Sequence, residues 1–206
     1  MAKNFDNDSG GYKPPRKMPV EILTADEVQA LIGKCSARCP TGVRNRALVV
    51  TLWRCGLRIG EALALFPKDI DLARGTIRVL HGKWDKARTV AIDAQALAVI
   101  QRWLDWRKDR LGLTARQPVF CTLDGGAMAD AYCRNLFKRL ARKAGIVKRV
   151  HPHGLRHTHA VELMQEGADV GLISKQLGHG SIAATAYYLD HINPQRVIDF
   201  VGTRKW

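Results

Sequence analysis

No stretch of the 206 residues approaches the ~20 consecutive apolar side chains that a membrane span requires. The opening MAKNFDNDSGGYKPPRK also lacks the apolar core of a secretory signal. The expectation is a chain that stays in the compartment where it is made. Cysteine is sparse, five residues at scattered positions and an odd number, which excludes a disulfide framework and fits a reducing cytosol. Cys35 and Cys39 could form half of a zinc site, but no second Cys/His pair follows at a suitable spacing, leaving buried structural cysteine as the simpler reading. Internal repeats and low-complexity segments are lacking too. Acidic residues are outnumbered, 19 against 33 Lys and Arg, and the net charge of +14 favours a polyanionic partner, most simply nucleic acid, over a merely basic solvated surface.

What is present suits one well-cored domain, with 46% hydrophobic and 25% charged residues. Residues 1–20 are polar and rich in Gly and Pro, an arm or linker carrying Lys13, Arg16 and Lys17. The domain proper, 21–206, opens on a capping box, Thr24-x-x-Glu27, that predicts a helix over 24–37. A strongly apolar helix is expected over 46–55, ended by Gly56, and a further one just after it in GLRIGEALAL. There Arg58 and Glu61 lie three apart among apolar residues, so both are expected on a buried element, either as an ion pair that pins the helix or with the arginine facing a ligand.

Thr76–Leu80 and Ala87–Ile92 alternate in the manner of strands around HGKWDK, a basic hairpin whose tip holds Lys83 and Lys86. On spacing alone Lys83 reads as a solvated lysine. Asp93 caps a long amphipathic helix ending near Gly112; 119–121 reads as a short strand, TLDGG as a turn and 129–144 as another amphipathic helix. Arg134, Lys138 and Arg142 stand off its apolar stripe and suit phosphate contacts. The domain is therefore mainly α-helical with one antiparallel hairpin, and a short tail helix is expected over 192–206.

The stretch from His151 to His191, HPHGLRHTHAVELMQEGADVGLISKQLGHGSIAATAYYLDH, concentrates the chemistry. Two helices are expected, stopped by Gly167 and Gly178, with both histidine clusters at helix ends. The zinc alternative for His153 and His157, one helical turn apart, is the weaker one, because no Cys or carboxylate sits among these histidines and Arg156 would place a cation beside the metal. His157 and His159 read as structural or phosphate-proximal. Across the chain, two guanidiniums suited to one phosphate (Arg58, Arg156), histidines able to move a proton (His153, His179), Lys83 and two tyrosines (Tyr187, Tyr188) form a set suited to phosphodiester transfer.

Four motifs carry a resemblance: GLRIGEALAL with Arg58 and Glu61, GKWDKARTVAI with Lys83, HGLRHTHA with His153 and Arg156, and LGHGSIAATAYY with His179 and, nine residues on, Tyr188. Together they resemble the catalytic domain of tyrosine recombinases, the phage integrase family, over roughly residues 21–200. Four motifs in order are far more specific than any one. The resemblance implies a mainly helical domain with a small antiparallel sheet, in which Arg58 and Arg156 clamp the scissile phosphate. His153 and His179 would hydrogen-bond to it, Lys83 would protonate the departing 5′ oxygen and Glu61 would orient Arg58. It selects Tyr188 as nucleophile, with Tyr187 as packing, and implies a 3′-phosphotyrosyl intermediate needing neither ATP nor metal nor cofactor. The implied partner is double-stranded DNA with paired recombination sites, bound by a dimer to tetramer of a chain that is monomeric in free solution, and the implied setting is cytoplasmic and nucleoid-associated, for a bacterial or phage-encoded protein.

The sequence departs from the family in having only about 20 residues ahead of the capping box, too few for the helical clamp domain that most members carry, so either a naturally short recombinase or an isolated catalytic fragment is expected. The apolar residues of 192–201 could be exchanged between protomers or fold back on their own domain. A topoisomerase-like nicking and resealing enzyme shares the residues, and a catalytically silent DNA-binding regulator is the alternative from another class.

Overall fold

Helix α2 (Pro40–Arg54) organises the domain, because it is buried on nearly every side, from Gly42 to Trp53. Val49, Leu48 and Leu52 are sealed from solvent, and each such side chain contributes about 1.5–3 kcal/mol of burial. A helix apolar all round needs neighbours all round. In this computed structural model, which describes residues 21–80 and 87–178, those neighbours are α1 (Ala25–Gly33), α3 (Ile59–Leu63), α4 (Ala94–Leu111) and α6 (Pro152–Gln165), while α5 (Asp130–Ala144) packs on α1 and α6. The remaining helix, α7 (Val170–Leu177), lies on α6 over a small satellite core of Ala160, Met164, Ile173 and Leu177.

Strands β1 (Ile70–Asp71), β2 (Thr76–Val79) and β3 (Arg88–Ala91) form an antiparallel sheet in that order. The register sets Ile77 opposite Val90, both buried, as the period-2 alternation requires. The mainly helical class with a small antiparallel sheet therefore stands, with β1 as a strand the sequence pattern did not predict. The outer edge of β3 meets α7, where the Gln176 side chain accepts from the Ala91 N–H (3.0 Å) and donates to the Ala91 carbonyl (2.9 Å). A side-chain amide thus does there what a further strand would do.

Several boundaries differ from expectation, each for a local reason. The Thr24–Glu27 box is present in both directions, but α1 stops at Gly33 because Ser36 Oγ accepts the N–H groups of Arg38 and Cys39 and turns the chain. The next helix begins at Pro40 rather than Arg46, since proline is pre-set for a first helical position. Residues 119–121 make only a single bridge, Cys121 to Ala127, closing the expected turn. Helix α4 starts on Asp93, which accepts from the Ala96 N–H, and ends at Gly112, as predicted.

Candidate phosphate-binding site

The site lies where the end of α2, the start of α3, the base of the hairpin and helices α6 and α7 meet. Arg58 precedes α3 in extended backbone rather than sitting within the helix, and its side chain is 33% exposed, which corrects the expectation that it points from a buried element. Glu61 is buried, 4% exposed. Its Oε2 accepts the Arg58 backbone N–H (2.9 Å) and its Oε1 accepts Arg58 Nη1 (2.8 Å). The ion pair that could have been purely structural exists, yet it is shared. Arg88, on β3, donates Nη1 to Oε1 (2.9 Å) and Nη2 to Oε2 (2.8 Å) of the same carboxylate. Burial alone would push the Glu61 pKa up; the hydrogen bonds and charge of Arg88, with those of Arg58, bring it below the usual carboxylate range.

Arg156 is 1% exposed and has no carboxylate partner among the described residues. It donates Nη1 to the Gly56 carbonyl and Nη2 to the Leu177 carbonyl, both at 2.6 Å. Gly56 stands two residues before Arg58, and Leu177 two before His179. The close approach at Gly56 requires glycine: its φ is +62°, and a Cβ there would lie 2.6 Å from His159 Cδ2 and 2.8 Å from Leu177 Cδ2. Burial lowers the Arg156 pKa to about 9, helped by Arg58 and Arg88 and opposed by Glu61, so the group stays cationic at neutral pH. Among the described residues three guanidiniums therefore gather around one carboxylate, an excess of two positive charges.

His153 is exposed in the first turn of α6, its pKa lowered by lost hydration and then by Arg156, His151 and Arg58, which favours a neutral imidazole able to exchange a proton. Its ring meets His157 edge to face at 4.3 Å. His151 caps the helix, its Nδ1 accepting the Gly154 N–H at 3.1 Å. Among the described histidines, His151 and His153 sit at a helix end. His157 and His159 are buried inside α6, which runs on past them, and His159 is driven down to about pKa 4 by burial and by Arg54 and Arg156. Among the described residues no three His, Cys, Asp or Glu side chains converge as a metal site would need.

The structure thus brings together Arg58, Glu61, His153 and Arg156. Lys83, Lys86, His179, Tyr187, Tyr188, the arm with Lys13, Arg16 and Lys17, and the 192–206 tail lie outside the described residues. Arg134, Lys138 and Arg142 form one exposed row along α5, away from the hydrogen bonds of the site; Arg134 pairs loosely with Asp130 (3.8 Å). Sequence reasoning missed Arg88. Its signal was in the strand alternation, for Arg88 shares a face with buried Val90, and a charge on the inward face of a strand needs a partner.

The Phage integrase family model matches residues 21–195. The chain belongs to the phage integrase family. Similar members include tyrosine recombinase XerC of Xanthomonas axonopodis pv. citri (strain 306), 37% identical over 194 residues that cover 93% of this chain and 61% of that protein. The structure of XerA recombinase superposes with a TM-score of 0.77 at 30% identity, covering 93% of this chain and 68% of XerA. A second, XerH site-specific recombinase in a post-cleavage complex with a palindromic difH substrate, gives 0.74 at 29% identity, over 90% of this chain and 54% of XerH. The chain spans about three-fifths of the length of the curated relatives it matches. No helix among the described residues is long and apolar enough to cross a membrane.

Proposed function

We propose that this integrase-family chain is the catalytic part of a site-specific DNA recombinase that cuts and rejoins strands through a 3′-phosphotyrosyl intermediate. The observation that carries the proposal is the cation excess at Arg58 and Arg156, two guanidiniums from distant segments with His153 beside them and a single carboxylate between them. Such a centre stabilises the charge that builds on the non-bridging oxygens of a phosphodiester under attack.

In this reading Arg58 and Arg156 bind the scissile phosphate, Glu61 orients Arg58, and His153 and His179 hydrogen-bond to the phosphate and manage the nucleophile's proton. The Tyr188 oxygen attacks phosphorus as its proton passes to a neighbouring base; the bond to the 5′ oxygen breaks, and Lys83 protonates that oxygen. The free 5′-hydroxyl of another strand reverses the step, so no energy source is consumed. Double-stranded DNA with paired sites is the partner and assembly occurs on DNA, a reading supported by the XerH complex. Lys13, Arg16, Lys17, Lys86, Arg134, Lys138 and Arg142 serve backbone phosphates, and the setting is the bacterial cytoplasm, in keeping with similarity to XerC of a bacterium.

The test is a nicked duplex whose cleaved product cannot religate. The wild-type chain accumulates a covalent protein–DNA adduct and Tyr188→Phe yields none while still shifting the duplex in a gel; an undiminished adduct from the variant overturns the assignment.

A further inference from the structure

Glu61 faces two arginines that differ in what else they can do. Arg58 is one-third exposed and offers the rest of its fork outward, whereas the Arg88 side chain is only 11% exposed. Arg88 makes the paired, fork-to-carboxylate contact, one nitrogen to each oxygen, and Arg58 spends one side-chain nitrogen on the carboxylate. Arg88 is also fixed in place. Its stem lies beneath Gly178, where an added Cβ would fall 2.5 Å from Arg88 Cδ, and β3 is held to α7 by the Gln176 amide on Ala91.

A buried carboxylate is little screened by water, so its charge must be answered within the site. With Arg58 as its only partner, Glu61 would form a closed ion pair and cancel the charge on the very group meant to meet the substrate. We propose that Arg88 is a positioning residue that answers the Glu61 charge and so leaves the Arg58 charge for the phosphate. This rests on the phosphate-site reading above. Removing Arg88 halves the excess positive charge at the site from two to one, and neutralising Glu61 as well returns it to two, with Arg58 and Arg156 unopposed. A residue that only cross-linked β3 to α3 would show no recovery, because Arg88→Met already removes the cross-link and neutralising Glu61 restores nothing.

The experiment compares the wild-type chain, Arg88→Met and the double variant Arg88→Met/Glu61→Gln, each first shown folded by thermal unfolding. Two readouts are taken: adduct formation on the nicked duplex, and binding of inorganic phosphate followed through the NMR signal of the His153 ring. Arg88→Met should slow adduct formation roughly 100-fold and weaken phosphate binding about tenfold, and the double variant should recover at least about tenfold of the rate and most of the binding. A double variant no better than Arg88→Met in both readouts overturns the proposal. Should Arg88→Met not fold, the double variant decides alone: phosphate affinity within about threefold of wild type upholds the proposal, and a loss beyond about tenfold overturns it. If the wild type forms no adduct while phosphate binding falls and recovers across the variants, the recombinase reading fails and the role of Arg88 stands.

Discussion

Arg107 and Arg156 are buried to the same degree, 1% exposed, and neither has a carboxylate partner among the described residues. Both lean on backbone carbonyls: Arg107 Nη2 reaches those of Thr114 and Gln117 at 3.2 and 3.1 Å, and Arg156 reaches those of Gly56 and Leu177. What differs is the company. Near Arg107 the one titratable neighbour that acts on it is Cys121, and the arginine staples the loop after α4; near Arg156 stand Arg58, Arg88 and Glu61. An unpaired buried guanidinium is therefore not in itself a mark of function. A second guanidinium converging on it points more sharply to an anion, because the like-charge cost that Glu61 answers only in part falls further when a ligand anion arrives.

The contrast is most easily broken by substituting the two arginines. Arg156→Lys keeps a charge but cannot serve two carbonyls and a phosphate together, and should lower adduct formation roughly 10³-fold. Arg107→Met should leave the rate within about threefold and instead cost about 1–3 kcal/mol in urea unfolding. Equal losses of activity from both would erase the distinction.

A smaller effect separates the surroundings. His159 packs on Gly56 with a folded pKa of about 4 against an ordinary 6.5, so the unfolded chain binds the extra proton between those values. The stability this residue contributes is complete above pH 6.5 and is lost as pH falls toward 4, roughly 3 kcal/mol in all. Replacing it as His159→Leu should flatten the stability profile over that window, measured by urea unfolding at a series of pH values; an unchanged slope would mean that other groups carry it.

Smaller still is a pair of glycines with the same backbone. Gly56 and Gly112 have φ of +62° and +63°, but a Cβ meets two side chains at the first and nothing within 4 Å at the second. Gly112→Ala should cost about 1 kcal/mol from conformation alone and Gly56→Ala about 2 kcal/mol or more, read from the same unfolding curves. Equal costs would show that His159 and Leu177 yield freely.

Much of this was legible before the structure. The Thr24 and Asp93 caps, the strand alternation and the glycine stops are local signals, and each acts locally where it was read. That Arg58, Glu61, His153 and Arg156 belong together was legible because they stand in an order that resembles a known family's. Less legible was anything settled by contacts distant along the chain. Arg58 looked buried because its neighbours are apolar, yet its cap position turns it outward. The role of Arg88 depends on a carboxylate 27 residues away, and the two carbonyls that seat Arg156 belong to residues whose side chains say nothing about accepting a hydrogen bond.

Those two carbonyls couple activity to the completeness of the fold. Arg156 reaches back 100 residues to Gly56 and forward 21 to Leu177, so its seat exists only after the first and last described segments have closed on each other. A nascent chain still short of Leu177 has every side chain of the early motifs but an arginine with half its support. Phosphate binding at this site should thus appear late in synthesis, once Leu177 has joined the fold.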